Sequence, residues 1–216
     1  MNQIFLAVLL LAGFNAFGQK KQSSIKGKTI CIDPGHGGTA ATDSYRVGPG
    51  GEREEWIDLR VGLMLQTMLE EKGAKVVMTR TEDVVVPLLD RSKIAVEGNA
   101  ELFVSIHHNA TPKGAPVVFG GIEVYVSKLN SNIKIAEELG AGILSKLKQA
   151  DGITVQDSLK NASLLLLRES KTPAVLIELG NITDQKSLDF IKQEANLRKI
   201  GNLILDGFVV FSKRGC

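Results

Sequence analysis

The chain contains three histidines, and all of them fall inside two short motifs: His36 in Asp33-Pro-Gly-His-Gly-Gly38, and His107 with His108 in Ser105-Ile-His-His-Asn109. An acidic run, Glu52-Arg53-Glu54-Glu55, lies between them, and Glu178 ends the apolar stretch Ala174-Val-Leu-Ile-Glu178. Imidazoles combined with a carboxylate suit a divalent metal such as zinc, and two His with one Glu leave a fourth position for water. Duller readings exist for each residue. A histidine after a Pro-Gly turn is often only a satisfied polar group, and glutamates in a helix's first turn favour the macrodipole. Glu178 is harder to dismiss, because an ionised carboxylate closing an apolar strand is costly without a partner. A nearby metal, or a proton-transfer role with a raised pKa, accounts for it.

The elements that must position these residues follow from hydrophobic period and punctuation. Residues 28–33 (KTICID) form a β-branched run stopped by Pro34-Gly35, so a strand delivers His36 at its end. Residues 37–52 are rich in Gly, Thr, Ser and Asp and predict a surface loop. From residue 53 to about 72, Ile57, Val61, Met64, Leu65 and Met68 recur at three- and four-residue spacing, an amphipathic helix closed by Gly73. Further strands are predicted at 74–79, 101–106, 121–126 and 174–178. Helices are predicted from Pro87 to about 97, from a Ser131 cap to about 148, and as two short pieces at 185–192 and 194–212. The third strand would be followed by His107 and His108, and Glu178 would close the last one. Strands alternating with helices imply an α/β fold, a single layered domain whose mostly parallel twisted sheet has helices on both faces. Sites in such folds lie beyond the carboxyl ends of the strands.

Composition narrows the function classes. The 216 residues are 44% hydrophobic, enough for a core and against disorder as the main state. Lys+Arg number 26 and Asp+Glu 24, a net +2 too balanced for a protein that mainly neutralises nucleic-acid phosphates. Two cysteines, Cys31 and Cys216, make neither a disulfide framework nor an all-cysteine zinc site; both are expected as free thiols, Cys31 being a buried strand residue. Residues 1–18 carry no charge, and their apolar run is too short to span a bilayer. They read as a secretory signal cut before Gln19, with Ala16 and Gly18 as the small residues. No cysteine follows the run, so a membrane anchor through lipid is not expected. The chain then divides into a signal peptide (1–18), a basic tail (19–27) and a catalytic domain (28–213), exported to the periplasm or secreted.

Taken together, Asp33-Pro-Gly-His-Gly-Gly38, Glu54 opening a helix, Ser105-Ile-His-His-Asn-Ala110 and Pro173-Ala-Val-Leu-Ile-Glu-Leu-Gly180 resemble the zinc-dependent N-acetylmuramoyl-L-alanine amidases, bacterial cell-wall hydrolases. Met78-Thr-Arg-Thr-Glu-Asp83, Leu88-Leu-Asp-Arg91, Gly121-Ile-Glu-Val-Tyr125 and Leu166-Leu-Arg168 add matches between the motifs, in order, from about residue 28 to 210. The resemblance implies that His36, Glu54 and His107 hold Zn2+ and that Glu178 is the catalytic general base and acid. Glu54 is preferred to Glu52 and Glu55 because Glu54-Glu-Trp-Ile-Asp-Leu59 matches the family's Glu-Lys-Asp-Val-Asn-Leu.

The implied reaction is hydrolysis of the amide between N-acetylmuramic acid and L-alanine in peptidoglycan. A zinc peptidase acting within the stem peptide and a non-catalytic peptidoglycan-binding module are the competing readings. Departures from the pattern are His108, where the family usually has Ala, and Asn181 and Asp184 beside the catalytic strand. The departure at His108 admits substrate contact, and those at Asn181 and Asp184 bear on substrate fit. Asp33 is expected either to bond the non-ligating nitrogen of a histidine or to cap the turn after its strand. Residues 127–161 have room for one helix and a short loop, not for an inhibitory helical insertion. An activator protein is therefore not expected to be needed.

Overall fold

A computed structural model describes residues 25–38, 46–116 and 119–212. The predicted signal peptide, most of the basic tail and Cys216 lie outside the described residues. The order of elements is β1 (Thr29–Pro34), α1 (Glu54–Glu71), β2 (Lys75–Met78), α2 (Leu88–Glu97), β3 (Leu102–Asn109), β4 (Ile122–Val126), α3 (Ile133–Leu147), β5 (Lys160–Asn161), α4 (Leu165–Arg168), β6 (Ala174–Asn181), α5 (Gln185–Ile191) and α6 (Glu194–Ser212). One six-stranded sheet runs β2-β1-β3-β6-β4-β5. Its β2-β1-β3-β6 half is parallel, β4 lies antiparallel to β6, and β5 is parallel to β4. The expected mostly parallel, helix-covered sheet is what forms. No helix among the described residues is long and apolar enough to cross a membrane.

The period of two along each strand divides the interior into two layers. Ile30 and Ile32, Val104 and Ile106, and Val175 and Ile177 point to a large core shared with α1, α3 and α6. Their neighbours Cys31, Phe103, Ala174 and Leu176 point the other way, to a smaller cluster under α2 and α4. Cys31 is free and fully buried, and burial pushes its thiol up. In α6, Leu197, Ile200, Ile204, Leu205 and Phe208 make the buried stripe of an amphipathic helix. Each such side chain stabilises the fold by about 1.5–3 kcal/mol relative to exposure. This helix has 19 residues, so only α5 of the final pair is short. The entry to α3 also differs from expectation: Asn132, not Ser131, is the N-cap residue. Asn130 organises the entry by accepting from the Asn132 amide at 2.6 Å and donating to Leu167 O and Ser170 O.

Two strands run further than their apolar patterns suggested. β3 contains His107, His108 and Asn109, and β6 continues past Glu178 to Asn181. Each supplies the other's ladder, with an irregularity between His107 and Asn109, so polar residues stay in the sheet where a partner strand is available. The histidine pair and Glu178 are therefore carried on rigid strand, not on loops.

The loop after β1 is held from outside. Arg80 donates to Pro34 O (3.0 Å) and, through Nη2, to Gly35 O (2.6 Å) and Glu55 O (2.7 Å). Arg91 donates to Pro34 O and His36 O and pairs with Asp33 Oδ1 at 2.9 Å. Asp33 is fully buried and also accepts from Thr79 Oγ1 and Ser105 Oγ, both at 2.6 Å. It thus neither bonds a histidine nor caps the turn, as the sequence had allowed. It anchors the arginine that fixes the turn, and His36 is held there in a left-handed conformation (φ 52°). Arg91→Ala removes one partner of a buried pair and should cost about 3–5 kcal/mol, read as a lowered urea midpoint at unchanged m-value. A change below about 1 kcal/mol would show that the pair does not anchor the loop.

Candidate metal centre

The N-terminus of α1, the β1 loop and the end of β3 converge on one point. His36 Nε2 lies 2.9 Å from Glu54 Oε1 and 3.2 Å from His107 Nδ1, and His107 Nδ1 lies 3.3 Å from the same Glu54 oxygen. The two imidazoles meet edge to face, with centroids 4.8 Å apart. Three donors with mutual separations near 3 Å match the edges, about 3.3 Å, of a tetrahedron with metal–ligand bonds of about 2.0 Å. One oxygen of Asp58 completes a cluster whose four ligand atoms all lie within 4.8 Å of one another. The spacing His36, Glu54, His107 is thus brought together in space, and the set is of a kind that can hold a metal.

The neighbouring glutamates are turned elsewhere. Glu52 pairs with Lys192 at 2.5 Å, and Glu55 pairs with Arg53. Glu54 is 1% exposed. Burial alone would raise its carboxyl, but hydrogen bonds from the His107 and His36 rings hold it well below the usual range. Arg46 Nη1 donates to its second oxygen at 2.7 Å, which leaves Oε1 to face the imidazoles. Burial lowers the pKa of His107 and so favours its neutral, metal-ligating form. Gly35 is required here by close approach: a Cβ at that position would stand 2.4 Å from His107 Cε1.

Three adjacent strands align His107, Glu178 and Glu123, each pair in register across the sheet. Glu123 is fully engaged, accepting from Asn109 Nδ2 (2.9 Å), Tyr125 OH (2.9 Å) and Gln156 Nε2 (3.3 Å) and pairing with Lys160. Glu178 is not: its Oε2 is buried without a hydrogen-bond partner among the described residues. Burial first, then the charges of Glu54 and Glu123, push the Glu178 carboxyl well above the ordinary carboxylate range.

His108 is fully buried, and its Nδ1 meets Asp58 Oδ1 at 2.7 Å. Burial takes its pKa down to about 3 and keeps the ring neutral. Asp58, Arg46, Arg80 and Arg91 were not singled out as site residues from sequence. The matched runs ending at Asp83 and Arg91 carried the two arginines, but nothing in the pattern said what they hold. Of the two departures near Glu178, Asn181 is buried and bonds Thr111 Oγ1 at 3.0 Å, and Asp184 caps α5 by accepting from the Ser187 amide. A groove of about 640 Å3 borders this end of the sheet, lined by Val47, Pro49, Thr111, Pro112, Thr183 and Gln185.

The chain is 31% identical over 196 residues to the probable cell wall amidase LytH of Staphylococcus aureus; the match covers 89% of this chain and 61% of that protein's length. Among solved structures it superposes on N-acetylmuramoyl-L-alanine amidase AmiC2 of Nostoc punctiforme with a TM-score of 0.70 at 31% identity, covering 84% of this chain and 96% of that one. The N-acetylmuramoyl-L-alanine amidase of Clostridium difficile 630 gives 0.75 at 28% identity, over 85% and 95% of the two chains. A family model described as N-acetylmuramoyl-L-alanine amidase matches residues 30–209, and this chain accordingly belongs to the N-acetylmuramoyl-L-alanine amidase family.

Proposed function

We propose that this protein is an exported zinc-dependent hydrolase of peptidoglycan that cleaves the amide between N-acetylmuramic acid and L-alanine. The observation that carries the reading is the buried, unpartnered Oε2 of Glu178, in register with His107 and beside the His36–Glu54–His107 set. His36, Glu54 and His107 would hold the zinc, which when bound supplies a Lewis acid for the scissile carbonyl and lowers the pKa of water to about 7.

The chain's own groups do the rest. Glu178, the one carboxylate in the His107–Glu178–Glu123 row with a free oxygen, takes a proton from water as the water oxygen bonds the carbonyl carbon. As the C–N bond breaks, the same carboxyl returns a proton to the nitrogen. The products are a lactyl carboxylate on the glycan and a peptide beginning with a free L-alanine amine. A carboxyl raised by burial and by Glu54 and Glu123 is a better proton acceptor than one in water.

Glu178→Gln keeps the side chain's size and should lower kcat about 10²–10⁴-fold with metal content near one zinc per chain by elemental analysis. Loss of the metal instead would make Glu178 a ligand. His36→Ala should lose both zinc and turnover, and a variant that still binds zinc tightly would refute the ligand set. On purified wall fragments, mass spectrometry should show glycan ending in intact muramic acid and peptide starting at L-alanine; cuts inside the stem peptide would establish the peptidase instead. The stretch 127–161 holds α3, β5 and connecting turns, which supports an open site. Turnover by the purified chain alone is the expected result, and strict dependence on an added partner would overturn that part of the reading.

A further inference from the structure

The loops that follow β3 and β6 are tied to each other by one buried side chain. Asn181 ends β6, is 0% exposed and stands in register with Asn109 at the end of β3. Its Nδ2 donates to Thr111 Oγ1 at 3.0 Å, and its Oδ1 accepts from the Thr183 amide at 2.9 Å and from Thr183 Oγ1 at 2.6 Å. The Thr111 amide closes the ring by donating to Thr183 Oγ1 at 2.9 Å, and the Ile182 amide donates to Asn109 O at 2.8 Å. Beneath the ring, the Asn181 amide donates to Ser187 Oγ at 2.8 Å, and a Cβ on Gly180 would stand 2.5 Å from that oxygen, so the strand end is packed tightly on α5. Hydrogen bonds closed off from water in this way are electrostatically stronger than the same bonds at the surface.

The two loops so joined supply most of the lining of the 640 Å3 groove, Thr111 and Pro112 from the first and Thr183 and Gln185 from the second. Its volume is that of a site for a small ligand or a short peptide. Thr111 follows His107 by four residues and Thr183 follows Glu178 by five, so the groove adjoins the strand ends that carry the two groups. In the mechanism above, Glu178 returns a proton to the departing nitrogen, which puts the peptide half of the substrate on the Glu178 side. We propose that Asn181 is the positioning residue of a stem-peptide subsite: by clamping the two loops it sets how that peptide is held, without touching it. The inference rests on the amidase reading and adds to it where the leaving peptide lies. Asn181 stands where the resembled pattern commonly has Phe, whose ring carries no such bonds, so the clamp belongs to this chain's own sequence. His107 and Glu178 are held by strand register, so loosening the loops changes peptide binding and spares the chemical step.

The test measures kcat and KM of the zinc-loaded chain on N-acetylmuramoyl peptides of two and of five residues, and calorimetric binding of the free five-residue stem peptide. Asn181→Leu keeps the size of the side chain and removes its three bonds. It should raise KM for the longer substrate and weaken the free peptide about 10-fold, the worth of one or two net hydrogen bonds. Its kcat and its KM for the shorter substrate should stay near wild type. Thr111→Val should reproduce the rise, Thr111→Ser, which keeps the hydroxyl, should restore wild-type KM, and the double variant should be no worse than either single one. A residue that only held the fold together would instead lower kcat on both substrates in step with the folded fraction, and that result would overturn the proposal. Equal KM and peptide affinity in Asn181→Leu and wild type would overturn it too, as would additive effects in the double variant, which would make Thr111 a substrate contact in its own right. Should Asn181→Leu not fold, equal peptide affinities in Thr111→Val, Thr111→Ser and wild type would overturn it as well. A wild-type chain that binds the free peptide in an Asn181-dependent way but hydrolyses neither substrate would keep the subsite and sink the amidase reading.

Discussion

Six carboxylates, Asp33, Glu54, Glu55, Asp58, Glu123 and Glu178, crowd the carboxyl end of this sheet and the adjoining turn of α1, and five of them are 1% exposed or less. Everything around them is arranged by the cost of that crowding, since each buried ion carries a penalty of several kcal/mol unless paired and hydrogen-bonded. Asp33 is met by Arg91, Thr79 and Ser105, and Glu123 by Lys160, Tyr125 and Asn109. Glu54 receives Arg46 and two imidazoles. After this pairing, the carboxylate oxygens buried without a hydrogen-bond partner among the described residues are Oδ2 of Asp58 and Oε2 of Glu178. The bare oxygens stand beside the three donors whose separations fit a tetrahedral ion, which is why the electrostatics and the geometry point to the same place.

The distinction between structural and chemical carboxylates could not be made from residue type. His36 and His107 stood out because histidines are few here, Glu178 because a glutamate ending an apolar run is anomalous, and Glu54 through the resemblance, and the structure brings these residues together. Asp58 was invisible for a related reason: at a helical spacing from Glu54 it reads as a solvated charge on an amphipathic helix, and only the tertiary position of His108 shows that this face is interior. For His108 the sequence left substrate contact open, and the structure buries it against Asp58. In a strand, neighbours point to opposite faces, so adjacency to His107 argues for the α1 side and not for the site. The strand ended too early in the sequence reading because polar residues break the apolar pattern, although the β6 ladder lets them stay.

The layers were easier to read than their edges. Alternation in β1, β3 and β6 separates the two cores cleanly, because every second residue must face one helix layer or the other. The reversal of β4 against β6 left no such mark, since an antiparallel neighbour buried on both faces has the same composition as a parallel one. The two-residue β5 is too short to show any period. Arg80 and Arg91 form a third class: their partners are mainly backbone carbonyls of the Pro34–His36 turn, and carbonyl acceptors are the same at every residue. No pattern of side chains can announce such a bond.

The pair Glu123 and Glu178 shows how one sheet gives two identical side chains different work. They face each other across β4 and β6, and two charges so placed disfavour simultaneous ionisation. Among the described residues Oε2 of Glu178 has no hydrogen-bond partner, whereas Lys160, Tyr125, Asn109 and Gln156 all reach Glu123. Its negative charge then adds to that of Glu54 in raising Glu178. In the proposed mechanism the separation of the two carboxyls is fixed by strand register. The donors on Glu123 therefore bear on the proposed role of Glu178 as much as any group that touches it.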